Sequence, residues 1–115
     1  MKNRVQFRLR IHRDDAIAIG PGKIDLLEAV AESGSISAAA RQLGMSYRRA
    51  WLLIDQINQA LVSPAVVTAT GGAHGGGAAL TPLGAEVVRH YRAIEQRARL
   101  AAARDIAALT RLLAP

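Results

Sequence analysis

At 115 residues the chain has room for one compact domain. Of its residues 23 are Ala, so the core must come from close helix approach, with no space for an enzyme-sized pocket. It carries 15 basic against 9 acidic residues, net +6, and 13 of the basic ones are Arg, which points to an acidic partner. The absence of Cys excludes disulfides, thiolate metal sites and thiol nucleophiles. No apolar run approaches the ~18–20 residues of a membrane span, and the polar start has no signal-peptide core. A soluble, cytoplasmic protein without a membrane partner is the expectation.

Val5, Phe7, Leu9 and Ile11 alternate with Gln6, Arg8, Arg10 and His12, which predicts a strand over 4–12, apolar on one face and basic on the other. After Gly20-Pro21-Gly22 the spacing of Ile24, Leu27, Val30 and Ala31 predicts an amphipathic helix over 22–33, with Asp25, Glu28 and Glu32 on its wet side and Gly34 as its stop. Ser35 and Ser37 are alternative caps for a short helix over 36–43. Gly44 ends that helix, and Ser46 caps the next, over 46–62, which buries Ala50, Ile54, Ile57 and Leu61. A hairpin over 65–81 follows. Its glycine-rich centre, 71–77, holds half of the 10 glycines. Thr81-Pro82 opens a last helix expected over 82–113, with Leu83, Val87, Tyr91 and Ile94 leading its apolar stripe. On its outer face Glu95 and Arg99 are spaced for an i,i+4 pair.

Two helices joined by a tight glycine-containing turn make a helix-turn-helix, and the hairpin after the second helix makes it winged. The fold class expected is mainly α with a small β component. Ser46-Tyr47-Arg48-Arg49 opens the second helix at the end that, in such motifs, enters the major groove. Arg48 and Arg49 are candidates for phosphate or guanine contact, against a plain solvated basic face. Ser46 is a cap that also lies near phosphate, and Tyr47 a candidate to meet sugar or a thymine methyl. Ser35 and Ser37 could hold phosphate at the amides of the supporting helix. Trp51 reads as core or dimer packing rather than as a base reader. On the wing, Thr68, Thr70 and His74 are the plausible contacts, against an inert loop. The wing lacks the Gly-Lys-Ser/Thr ending of a phosphate loop, and His12, His74 and His90 have no ligand spacing, so no nucleotide, cofactor, metal or catalytic residues are expected.

With these motifs placed, the sequence resembles a known family. Gly34-Ser-Ile-Ser-Ala-Ala-Ala-Arg-Gln-Leu-Gly-Met-Ser46 is similar to the helix-turn-helix of LysR-type regulators. Ser46-Tyr-Arg-Arg-Ala-Trp51, Thr68-Ala-Thr-Gly-Gly72, Gly75-Gly-Gly77 and Leu80-Thr-Pro-Leu-Gly84 resemble the N-terminal DNA-binding domain of ModE-type molybdate-responsive repressors, over roughly residues 4–100. The resemblance implies a winged helix-turn-helix that dimerises and binds operator DNA. Regulators of this kind carry Mop-type molybdate-binding domains at the C-terminal side. None is visible in this chain, so molybdate is not expected to bind it.

A last helix of about 30 residues would span ~45 Å, more than a domain this size can cover. Its apolar stripe, Tyr91, Ile94, Ala98, Ala102, Ile106, Leu109 and Leu113, is therefore the expected homodimer interface. Two other readings stay open: sequence-independent DNA binding of the nucleoid type, and a helical protein-interaction module that does not bind DNA.

Overall fold

Helix α1 (Pro21–Ser33) begins where Gly20 leaves extended backbone and Pro21 fills a first-turn position that needs no amide donor. The computed structural model describes residues 2–69 and 77–115. α1 sends Ile24, Leu26, Leu27, Ala29 and Val30 into the core. Each of the larger ones contributes about 1.5–3 kcal/mol on burial. Helices α2 (Ile36–Gln42) and α3 (Tyr47–Ala60) are each capped by a serine. Ser35 Oγ accepts from the Ala38 N–H at 2.9 Å, and Ser46 Oγ from the Arg49 N–H at 3.0 Å. Between the two helices Gly44 takes φ 66°, a left-handed conformation that favours glycine, and the Met45 N–H closes back on the Ala40 carbonyl at 3.0 Å. Ala39, Ala40 and Ala50 are buried at the crossing, so α2 and α3 approach with little side chain between them.

The strand expected over 4–12 is largely absent. β1 (Ile11–Arg13) pairs antiparallel with β2 (Ala16–Ile19) across an Asp14-Asp15 turn, Asp14 adopting φ 55°, a region Asp tolerates. Residues 4–10 have no strand partner, because β2 is only four residues long. Phe7 and Leu9 are nonetheless half-buried, and Leu9 packs on the core while its carbonyl accepts from Tyr91 Oη at 2.8 Å. β2 packs against α3, and the Lys23 ammonium donates to the Ile17 carbonyl. Burial lowers the pKa of that lysine.

β3 (Val66–Ala69) and β4 (Gly77–Leu80) form the second hairpin, in register Val66↔Leu80 to Ala69↔Gly77. The hairpin is tied to the body along β4: the Ala78 N–H donates to the Gly34 carbonyl at 2.9 Å. Helix α4 (Pro82–Ala101) is capped by Thr81, whose Oγ1 accepts from the Gly84 N–H at 3.0 Å and donates to the Pro64 carbonyl at 2.7 Å. A Cβ on Gly84 would sit 2.2 Å from the Ala65 carbonyl oxygen, so only glycine permits this seam between helix and hairpin. α4 is fastened to α1 by Arg92, whose Nη2 reaches Asp25 at 3.0 Å and whose Nε reaches Glu28 at 3.1 Å. These carboxylates, Glu28 first, raise its pKa further above the ordinary guanidinium value.

The single helix expected over 82–113 is divided. It is interrupted at Ala102 (φ −97°, ψ 7°), whose N–H is shared between the Ala98 and Leu100 carbonyls, and resumes as α5 (Ala103–Thr110). No proline or glycine stands at the break. Glu95 pairs with Arg92 at 2.7 Å (i,i+3) rather than with Arg99, since Arg92 is already held nearby by the carboxylates of α1. α5 buries none of its residues, and the molecule is elongated, 56 × 32 × 24 Å. Helix-turn-helix, β hairpin and long C-terminal helices together make a winged helix-turn-helix, mainly α with a small β part.

Candidate nucleic-acid interface

α3 divides its surface sharply. Ala50, Ile54 and Ile57 face the core, while Ser46, Tyr47, Arg48 and Arg49 are all exposed at the N-terminal end. Neither guanidinium lies within ion-pair distance of a carboxylate among the described residues. The nearest acid along the helix, Asp55, accepts instead from Gln59 Nε2 at 3.2 Å. No acidic residue occupies the first turn of α3. A helix N-terminus favours anions, and two cations there cost about 0.3–1 kcal/mol each in the isolated chain. The arrangement therefore sacrifices local stability to present two guanidiniums to water.

The remaining predicted residues are distributed as follows. Ser35 is the cap of α2, and Ser37 lies exposed in its first turn. Thr68 is exposed on β3. Thr70 and His74 lie outside the described residues. Trp51 is not in the core: it is 38% exposed and stands edge-on to Tyr47, 55% exposed, with ring centroids 6.2 Å apart. Together with Arg48, Leu52 and Asp55 it lines a shallow hollow on the outer face of α3. Ala50 and Ile54 take the core-facing side of the helix, which leaves the indole on the outside. An amphipathic stripe alone could not show this, because Trp51 adjoins the buried stripe in sequence.

In the C-terminal helices the exposed part of the apolar stripe begins later than expected. Tyr91 is 2% exposed within its own chain, its hydroxyl bonded to Leu9. It closes the core and offers no surface to a second chain. Beyond it Ile94, Leu109 and Leu113 are 45%, 67% and 58% exposed, and Ala98, Ala102 and Ile106 half-buried.

Two features of the site were not foreseen. Asn58 ties the wing to α3: its Oδ1 accepts from the Ala65 and Val66 N–H groups at 2.8 and 3.1 Å, and its Nδ2 donates to the Val66 carbonyl at 3.2 Å. Position 58 lies next to the buried Ile57, and an amide there gives no sequence signal until the wing folds back. The other is the β1–β2 hairpin beside α3. The alternation of Ala16, Ile17, Ala18 and Ile19 after Asp14-Asp15 was the available sign of it. Among the described residues no group of three or more His, Cys, Asp or Glu is placed to hold a metal, and no helix is long and apolar enough to cross a membrane.

Comparison with known proteins agrees with this geometry. The chain is 47% identical over 77 residues to a molybdenum-pterin-binding protein, MopB, of Rhodobacter capsulatus, covering 67% of this chain and 28% of that protein. It is 41% identical over 88 residues to a molybdenum transport protein, ModE, of Azotobacter vinelandii, covering 76% and 33%. To the DNA-binding transcriptional dual regulator ModE of Escherichia coli K12 it is 43% identical over 76 residues, covering 66% and 29%. The aligned part thus spans about a third of the length of these relatives. Residues 22–85, from α1 through the wing to the start of α4, match the bacterial regulatory helix-turn-helix proteins of the lysR family. The chain belongs to that family.

Proposed function

We propose that the chain is the DNA-binding part of a sequence-specific transcriptional regulator, acting on double-stranded DNA as a homodimer in the cytoplasm. The observation that carries this is the first turn of α3, where Arg48 and Arg49 stand exposed and unpaired at the positive end of the helix. A strand of phosphates offset by a major groove answers that charge, and the guanidinium geometry suits guanine O6 and N7. Tyr47 and Trp51 offer apolar edges for sugar or thymine methyl beside them. Ser35 and Ser37 hold phosphate behind the reading helix, and Thr68, Thr70 and His74 contact the flank through the wing. The work is binding and not catalysis. Ile94, Ala98, Ala102, Ile106, Leu109 and Leu113 join two protomers, so the operator has approximate two-fold symmetry. The molybdenum named in the relatives suggests the signal such a regulator answers. We assign that sensing to parts outside the aligned third.

The test is selection of bound fragments from genomic DNA, followed by footprinting. A shared, roughly palindromic sequence is expected. Enrichment without a shared sequence would mean sequence-independent binding, and no enrichment would leave a protein-interaction module. Arg48→Ala should then lose about 1–3 kcal/mol on the selected sequence and relax the preference at one base pair. An equal loss on every sequence would make Arg48 a phosphate contact.

A further inference from the structure

A trough of about 1080 Å³ runs between the N-terminal arm with its β1–β2 hairpin and the flank of α3. One wall carries Arg8, Arg10 and Arg13, and the other carries Arg49, Gln56 and Gln59. Ile17 and Leu53 add apolar lining, and Lys23 lines it as well. Five cations are opposed by two carboxylates, Asp14 and Asp15 at the hairpin turn, and among the described residues none of the five comes within ion-pair distance of a carboxylate. The arm is not a loose tail. Leu9 packs on the core with its carbonyl held by Tyr91, so the exposed Arg8 and Arg10 on either side of it are carried on anchored backbone.

Arg49 lines this trough and also the hollow on the outer face of α3. The cationic surface is therefore continuous from the reading end of the helix to the arm. We infer that the trough is a second nucleic-acid contact, in which Arg8, Arg10 and Arg13 grip the phosphates of the strand flanking the groove that α3 enters. Unpaired guanidiniums on an open trough, with amide side chains opposite, suit a run of backbone phosphates better than a single small anion. The contact sets register and affinity and carries no base preference. It deepens the proposed DNA-binding function and rests on it.

The test compares the chain with its R8Q/R10Q/R13Q variant on two duplexes, one selected from genomic DNA and one of random sequence, across a salt series. All three positions are exposed, and matched circular dichroism checks that the variant folds. The expected result is an equal fold-loss on both duplexes and a fall in the magnitude of the log–log salt slope of about 2–3 for each bound protomer, hence about 5 for a bound dimer, at ~0.9 per phosphate released. R8K/R10K/R13K should restore most of the slope. A variant with unchanged affinity and slope would overturn the trough contact while leaving DNA binding by α3 intact. Wild-type chain that binds neither duplex would overturn both. Labelled poly-glutamate that binds the wild type but not the glutamine variant, with DNA affinity unmoved, would make the trough a docking site for acidic protein and overturn the inference.

Discussion

The first turn of α3 and the far end of the C-terminal helices are both unfavourable surfaces, but for opposite reasons. α3 buries its apolar side and exposes guanidiniums at a helix end that disfavours cations. α5 does the reverse: it buries nothing and leaves Leu109 in water, as Leu113 is just beyond it. The first surface is relieved by negative charge, the second by apolar surface, so one partner cannot serve both. The contrast is what the proposed function rests on, with phosphate at one end of the molecule and a second copy of the chain at the other. Between them lies a rigid seam, Asn58 holding the wing to α3 and Gly84 fitting α4 against Ala65. In the proposed homodimer that seam would let the pairing of two C-terminal ends set the spacing of two reading helices.

The largest expected effect comes from breaking the apolar end. Leu109→Glu removes a leucine from each protomer of the proposed pair, and at about 1.5–3 kcal/mol per buried leucine should weaken association by ~3–6 kcal/mol. Sedimentation equilibrium should show monomers, with the Arg48-dependent base preference of each protomer retained. A wild-type chain that stays monomeric at high concentration would dissolve the comparison from that side. Next is the seam. Gly84→Ala drives a methyl into the Ala65 carbonyl and should cost about 2–4 kcal/mol in denaturant unfolding. Wild-type stability in that variant would mean that helix and hairpin separate easily. Asn58→Ala is milder, about 1–3 kcal/mol, because it strips partners from the N–H groups of Ala65 and Val66, both buried residues. It should also weaken DNA binding, because the wing that Asn58 holds against α3 is then released.

The helices and their caps were legible in the sequence because they rest on local rules. Ser46 before an apolar stripe, Gly44 in a turn and Thr81-Pro82 all act within a few residues. Contacts that depend on distant chain were not legible. Tyr91 sits on the same stripe as Ile94, yet it is claimed by Leu9, 82 residues away, which no periodicity predicts. Arg92 carries no local sign of its partners, because Asp25 and Glu28 reach it only when α1 packs beside α4. Trp51 reads as core or dimer packing by residue type, and its exposure removes the first of these, because the core-facing side of α3 belongs to Ala50, Ile54 and Ile57. The exposure of Arg48 and Arg49 follows from local sequence, since they sit in the polar first turn ahead of the apolar stripe of α3.

Tyr91 supplies the smallest and most specific prediction, and it probes where the two regions meet. Its pKa is raised, chiefly by burial and then by the neighbouring Glu95, because both disfavour phenolate. The neutral phenol therefore contributes stability that is complete below the ordinary tyrosine value of about 10 and is lost as pH rises through the raised one. Tyr91→Phe removes both the hydroxyl's bond to Leu9 and this titration. It should cost about 0.5–1.5 kcal/mol at neutral pH, with the difference from wild type narrowing as alkali is added. The Leu9 carbonyl also fixes the arm that carries Arg8 and Arg10. The same substitution should thus soften the salt dependence of DNA binding by a fraction of what R8Q/R10Q/R13Q removes. A Phe variant with an unaltered alkaline profile would show that the phenol does not ionise within the folded range, and that burial holds it neutral until the chain unfolds for other reasons.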